Sequence, residues 1–419
     1  MTTNVESNQS VRTGRPPLAV YVLGAAIFAM GTSEFMIAGL LPDLTSDLQI
    51  SVPQAGLLIT AFAIGMAIGA PVMTLLTLRL PRKLTLLGAA AGYILMHLIG
   101  LFLHSYQALM ITRVIAAVLY ATFWSVSAVM ATRIAGGKAI ARAMAILVGG
   151  LSIANVLGVP AGTWLGDRFG WRAAFLAVAI ASAAALVLIM ILVPNIDRPG
   201  ATVQPLGQLV RAELGAFRQG RLWLALLTTA LFQGAVFAAF SYFSPLLINV
   251  TGVAPGRVPM YLLIFGVGAF LGTTLGGRFA DRGPWANVVI SLSATLVASV
   301  LLLAVSGSPV PTAIAMGLYS LAAFSIAGAI NGRVLGFAGT APTLAAAVNT
   351  SAFNVGNAVG PWFGGLAIAA GLGFRSPIVV GMVMLMAALG VAFVSRAVES
   401  RPTASVDTDT PLAAETCDA

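Results

Sequence analysis

Apolar residues run in long blocks along this chain, interrupted at short intervals by polar or turn-forming residues. Blocks of about 20 apolar residues suit helices that cross a bilayer at 1.5 Å rise per residue. Twelve are predicted, at 18–41, 52–76, 84–103, 107–131, 143–165, 173–193, 223–247, 258–278, 286–307, 311–332, 343–368 and 376–396. Most connections are short and carry breakers, such as Pro42-Asp43, Pro81-Arg82, His104-Ser105 and Gly283-Pro284. The longest, 194–222, holds Pro194, Pro199, Gly200 and Pro205, then a helix-like polar stretch from Gln208 to Gln219. It falls halfway along the chain. The expected class is an all-α integral membrane protein: N-tail 1–17, six-helix bundle 18–193, linker 194–222, six-helix bundle 223–396 and a disordered tail 397–419.

The two halves echo each other. Phe62-Ala-Ile-Gly65-Met-Ala-Ile-Gly69 matches Phe265-Gly-Val-Gly268-Ala-Phe-Leu-Gly272 at an offset of 203 residues. The same offset sets Arg79 on Arg282 and Pro81 on Pro284. Asn155-Val-Leu-Gly158-Val-Pro160 similarly lines up with Asn357-Ala-Val-Gly360-Pro361. Gly-x-x-x-Gly is common in membrane helices, so each match alone is weak. Together, at half the chain length, they argue for parallel repeats with a binding site between them near the midplane.

Composition supports the membrane reading: 59% of the 419 residues are hydrophobic and 8% are charged, against about 25% charged in soluble domains. The net charge of +9 forms no basic face interleaved with aromatics, so nucleic acid is not an expected partner. With the N-terminus inside, seventeen of the 22 Lys and Arg fall in inner loops and tails. Four (Arg168, Arg172, Arg257 and Arg375) fall outside, and Arg113 lies within a helix. That asymmetry predicts both termini on the cytoplasmic side. The one cysteine, Cys417, lies in the polar tail and supports neither a disulfide framework nor a thiolate metal site. Met1 to Pro17 is polar and the first apolar run exceeds a signal-peptide core, so no cleavable leader is expected.

Of 13 acidic residues, only Glu34 falls within a predicted span. An ionised carboxylate in hydrocarbon costs roughly 2.5–3.5 kcal/mol on insertion scales, so an acid retained there is a candidate proton carrier. Glu34, about seven residues from the outer end of its helix, and Arg113, about six from the outer start of its own, both lie roughly 10 Å deep. At matching depth they could pair, either to couple proton and substrate or simply to lock two helices; the remaining alternative is a Glu34 that snorkels to the outer surface. His97 falls at about 9 Å by the same count, as a packed hydrogen-bonding residue or a proton relay. Tyr120, Phe123, Trp124, Gln233, Phe237, Tyr242, Asn349 and Asn354 mix aromatic surface with amides, as a pocket for a neutral amphipathic molecule requires. Pro160 and Pro361 are expected to kink their helices.

Several stretches resemble the major facilitator superfamily, and within it the twelve-helix drug–proton antiporters. Gly277-Arg-Phe-Ala-Asp281-Arg282 is similar to the first half of that family's loop motif. The matching first-half loop keeps Arg79, Arg82 and Lys83, but Leu78 and Thr74 stand where the family has Asp and Gly. Arg113 fits the family's intramembrane arginine. Gly158-Val-Pro160-Ala-Gly162, followed by Gly170-Trp171-Arg172, resembles the antiporter signature, with its proline one position late. Gly31-Thr-Ser-Glu34-Phe35 through Pro42, and Arg333 through Gly360-Pro361, look most like the chloramphenicol exporters. Phe123-Trp124-Ser125 resembles the sugar-efflux branch.

The resemblance implies a proton-coupled efflux transporter of a small neutral compound, of chloramphenicol type, working by alternating access. Export of a sugar or nucleoside, and an uncoupled facilitator or channel, are the alternatives. The only Gly-Lys, Gly137-Lys138, is followed by Ala, so there is no phosphate-cradling loop for an ATP-driven pump. Clustered ligands or a nucleophile with its base, which an enzyme needs, are also missing. The expected partners are drug, protons and lipid, for a monomer in the cell membrane that carries no cofactor or metal.

Overall fold

A bilayer offers the backbone no hydrogen-bond partners, so each apolar block folds into helix, where every N–H and C=O is satisfied internally. The computed structural model describes residues 16–77, 80–136, 139–196, 220–280, 283–337 and 342–399, and among these it is helical with no strand. The first half comprises α1 (Leu18–Leu48), α2 (Val52–Leu76), α3 (Arg82–Phe102), α4 (Tyr106–Ala135), α5 (Ile140–Ile153), α6 (Val159–Phe169) and α7 (Trp171–Leu192). The second comprises α8 (Gly220–Phe240), α9 (Phe243–Asn249), α10 (Val258–Ala280), α11 (Pro284–Val305), α12 (Pro309–Phe324), α13 (Ala327–Phe337), α14 (Pro342–Ala369) and α15 (Ser376–Glu399). Three spans are broken: α5–α6 by a π turn at Ala154–Gly158, α8–α9 at Ser241-Tyr242, and α12–α13 at Ser325-Ile326.

Eleven spans are long and apolar enough to cross a membrane by length and composition. The twelfth, α14, has 28 residues but carries Asn349, Asn354 and Asn357, all buried. Its polarity is turned inwards against α2 and α8. Most of the linker 194–222, both chain tails and Arg79, Asp281 and Arg282 lie outside the described residues.

Glycine permits the close packing of α1. Gly158, Gly162 and Gly166 recur at one-turn spacing and face Thr32, Met36 and Leu40. A Cβ at Gly162 would come within 3.1 Å of Met36. Small residues replace the hydrophobic drive that helices lack in lipid.

The halves meet along α2–α14 and where α10 crosses the π turn. Gly266 of α10 lies so close to that turn that a Cβ would fall 2.6 Å from the Val156 Cα. Backbone cannot yield as a flexible side chain can. Gly266→Val should therefore destabilise the protein by about 1–3 kcal/mol, read as a lowered midpoint of heat-induced aggregation in detergent.

Two prolines prepare further contacts. The pattern ends the first helix at 41, but α1 continues through Pro42 to Leu48, with Leu44 buried and Asp47 held by Trp171 and Arg172. Pro42 has no N–H, so the Ala38 carbonyl four residues back loses its helical donor. Ser244 of α9 donates to it at 2.9 Å. Pro71 leaves Ala67 in the same position, and Ser351 of α14 donates to that carbonyl at 2.9 Å. Between them Thr60 donates to the Ala358 carbonyl at 3.0 Å.

The longer helices also correct the placement of several charges. Asp43 and Asp47 lie in the last turns of α1, Asp167 and Arg168 in α6, and Glu399 ends α15. Asp47 pairs with Arg172 at 2.5 Å. Arg333, assigned by the pattern to a loop, belongs to α13 and pairs with Glu399 at 2.5 Å beside Trp285.

Candidate functional site

Glu34 and Arg113 are the charged side chains that are buried among the described residues. Both lie inside the first half, where α1, α3 and α4 meet. The expected direct ion pair is not formed. Arg113 donates instead to Ser33, from Nη1 to Oγ at 2.7 Å and from Nη2 to the main-chain carbonyl at 3.0 Å. The reason is helical geometry: successive residues are about 100° apart on a helix, and Ser33 takes the face of α1 that Arg113 reaches. Glu34 follows Ser33 directly on α1, so the buried acid lies one residue from the group that holds Arg113.

Aromatic rings enclose the guanidinium. The Arg113 Cζ lies 4.3 Å from the Phe62 ring centroid and 5.9 Å from that of Phe175. Ring faces carry partial negative charge, so they stabilise a cation that water cannot reach.

His97 belongs to the same cluster. Its Nδ1 lies 3.0 Å from the Tyr93 carbonyl and its Nε2 2.7 Å from the Ser33 Oγ. A carbonyl only accepts, so Nδ1 carries the ring proton and Nε2 accepts from the Ser33 hydroxyl. Tyr93 donates its own hydroxyl to the Met30 carbonyl at 2.7 Å. Tyr120 lies against Gly31, but its buried hydroxyl has no partner, nor does the Nε of Arg113. Phe35, next to Glu34, meets Phe237 of α8 with centroids 5.8 Å apart, which links this cluster to the second half.

The second half supplies amides instead of charge. Gln233 donates to Asn357 at 2.9 Å and Asn349 to Asn331 at 2.7 Å. Asn354 donates to the Thr350 carbonyl at 3.0 Å, while its own buried Oδ1 has no partner. Tyr242 is a brace: its hydroxyl donates to the Pro361 carbonyl at 2.8 Å and its ring fills the space left by Gly56 and Gly364. Phe123 is fully buried and Trp124 half-buried. Gly158 and Gly162 form the seam with α1, Pro160 is buried at the start of α6, and Gly360 packs on α8 next to Pro361, whose carbonyl accepts from Tyr242. Arg82 and Lys83 start α3, where the Lys83 ammonium donates to the Met190 carbonyl, and Gly277 lies in the last turns of α10. Sequence reasoning missed Ser33, which holds Arg113, and Asn331 and Asn357, which hold Asn349 and Gln233, since a serine or asparagine in a membrane helix looks the same whether or not it holds a polar neighbour.

Twelve spans in two bundles, with a buried acid and arginine, define a transporter fold. The family model for the Major Facilitator Superfamily matches residues 23–351, and the chain belongs to that superfamily. It is 36% identical over 382 residues to a chloramphenicol resistance protein of Streptomyces lividans, covering 91% of this chain and 97% of that one. It is also 36% identical over 387 residues to the inner membrane transport protein YdhP of Escherichia coli, covering 90% and 95%. Among solved structures, a bacterial homologue of the human lysosomal transporter Spinster, inward-facing and unoccupied, superposes with a TM-score of 0.72 at 18% identity, covering 93% and 98%. A D-xylose–proton symporter gives 0.72 at 17%, covering 89% and 95%. The chain is thus a multi-pass membrane transporter and not an enzyme.

Proposed function

We propose that this transporter exports a small, largely neutral compound in exchange for protons, with Glu34 as the proton site. The observation that carries the reading is Glu34 itself, a carboxylate buried beside a buried arginine in a family of transporters. A group that alternates between charged and neutral inside a membrane protein can couple a proton to a conformational change. Both termini then face the cytoplasm, and the face where Ser244 meets Ala38 is the outer one.

The relative from Streptomyces makes a chloramphenicol-type antibiotic the first substrate to test. A neutral molecule with hydroxyl and amide groups suits the aromatic residues Tyr120, Phe123, Trp124 and Phe237 together with the amides Gln233, Asn349 and Asn354. The same amides favour a hydroxyl-rich sugar or nucleoside as the second reading. A drug-susceptibility panel in an efflux-deficient host decides between them. Expression should raise the inhibitory concentration of chloramphenicol and its fluorinated relatives above that of the empty host. No protection, with export of labelled sugar or nucleoside from loaded vesicles, would establish the second reading.

A further inference from the structure

The arginine beside the proton site is held by a serine, and this arrangement has the features of a switch. Ser33 offers two oxygens, Oγ and the main-chain carbonyl, to two nitrogens of Arg113. That is the bidentate geometry a carboxylate would supply. His97 fixes the donor side of the hydroxyl, because its Nε2 takes the single Ser33 proton while the Tyr93 carbonyl holds its Nδ1. The lone pairs of Oγ are therefore left for Arg113.

The same pocket contains unmet valences. The Arg113 Nε and the Tyr120 hydroxyl, which lies against Gly31 three residues before Glu34, are buried without partners. Buried polar atoms are almost always hydrogen-bonded, so two orphans in this pocket need a reason. A second arrangement in which Arg113 turns onto Glu34 would supply one.

We propose that Ser33 is a positioning residue: it holds Arg113 off Glu34 while Glu34 carries its proton, and it releases the guanidinium to Glu34 when the proton leaves. This inference deepens the proton-coupling reading and rests on it. Ser33 and Glu34 are neighbours on one helix, so the guanidinium exchanges partners by side-chain rotation without a shift of α1. The titratable groups around Glu34 are Tyr93 and His97 of α3 and Arg113 and Tyr120 of α4. From α2, α5, α7 and α8 the cluster meets Phe62, Leu151, Phe175 and Phe237, none of which ionises. His97 acts here by orienting Ser33.

Infrared spectroscopy of the purified, full-length protein tests this without a substrate. The carboxyl stretch that disappears in Glu34→Gln is assigned to Glu34 and followed as pH is raised. In Ser33→Ala, Arg113 has lost its side-chain acceptor and turns to Glu34. The ionised carboxylate is then favoured, and the midpoint should move about one pH unit towards acid, comparable to one charge-assisted hydrogen bond. Ser33→Thr, which restores the hydroxyl, should return it to the wild-type position. If Ser33→Ala fails to reach the membrane, Ser33→Cys keeps the volume with a weaker acceptor and should shift it in the same direction. A wild-type midpoint in the variant that lacks the hydroxyl would overturn the role of Ser33 and leave coupling through Glu34 intact. If Glu34→Gln removes no titrating carboxyl band, both readings fall.

Discussion

Glu34→Gln should abolish uphill transport while leaving the protein folded and able to exchange substrate. The amide keeps the shape of the protonated acid, and Glu34 makes no ion pair whose loss would disturb packing. What disappears is the ability to alternate in charge. With one proton exchanged per substrate, a gradient of one pH unit sustains roughly a tenfold substrate ratio across the membrane. In proteoliposomes with that gradient and no membrane potential, the wild type should reach that ratio and the Gln variant should stay at about one. Counterflow of labelled substrate at equal pH should persist in both. A variant that still accumulates drug against a gradient would place the coupling site elsewhere.

Arg113→Ala should be the most damaging single substitution in the cluster. It removes two charge-assisted hydrogen bonds to Ser33 and the contact with the face of Phe62, and it leaves a large void. Hydrogen bonds to a charged group contribute about 1.5–3 kcal/mol each, so loss of the two should cost at least about 3 kcal/mol of stability, read as a lowered midpoint of heat-induced aggregation with a matching loss of exchange. Arg113→Lys separates charge from shape. Lysine keeps the charge, but its single ammonium cannot reproduce the planar fork and lies poorly on a ring. Its exchange rate, normalised to protein in the membrane, should fall about tenfold. Equal rates for Lys and Arg would mean that charge alone matters here.

Much of this was legible in the sequence because a bilayer punishes exceptions. Twenty apolar residues can do little except span, and an acid among them stands out, so the spans and Glu34 were both readable. Depth counting also brought Arg113 and His97 to one level. Rotation about the helix axis was the missing coordinate. Depth says that Glu34 and Arg113 can meet, whereas only packing shows that Ser33 occupies the facing side. The breaks in α8–α9 and α12–α13 were hidden as well. Pro160, two residues past the π turn at Ala154–Gly158, marks that span as one to bend, but no proline or glycine lies at Ser241-Tyr242 or Ser325-Ile326 to mark the other two breaks. Pro42 misled in the other direction: it reads as a stop, yet α1 passes through it and uses the freed carbonyl.

Those freed carbonyls bear on how the transporter responds to voltage. The bonds that join the halves at Ala38, Ala67 and Ala358 each run from a hydroxyl to a main-chain oxygen. Breaking them separates neutral groups and transfers no net charge along the membrane normal. Each elementary charge carried across the full field exchanges about 2.3 kcal/mol with a potential of 100 mV, but these contacts carry none. Any electrical sensitivity of the cycle is then expected from charged groups outside these three bonds, Glu34 and Arg113 among them.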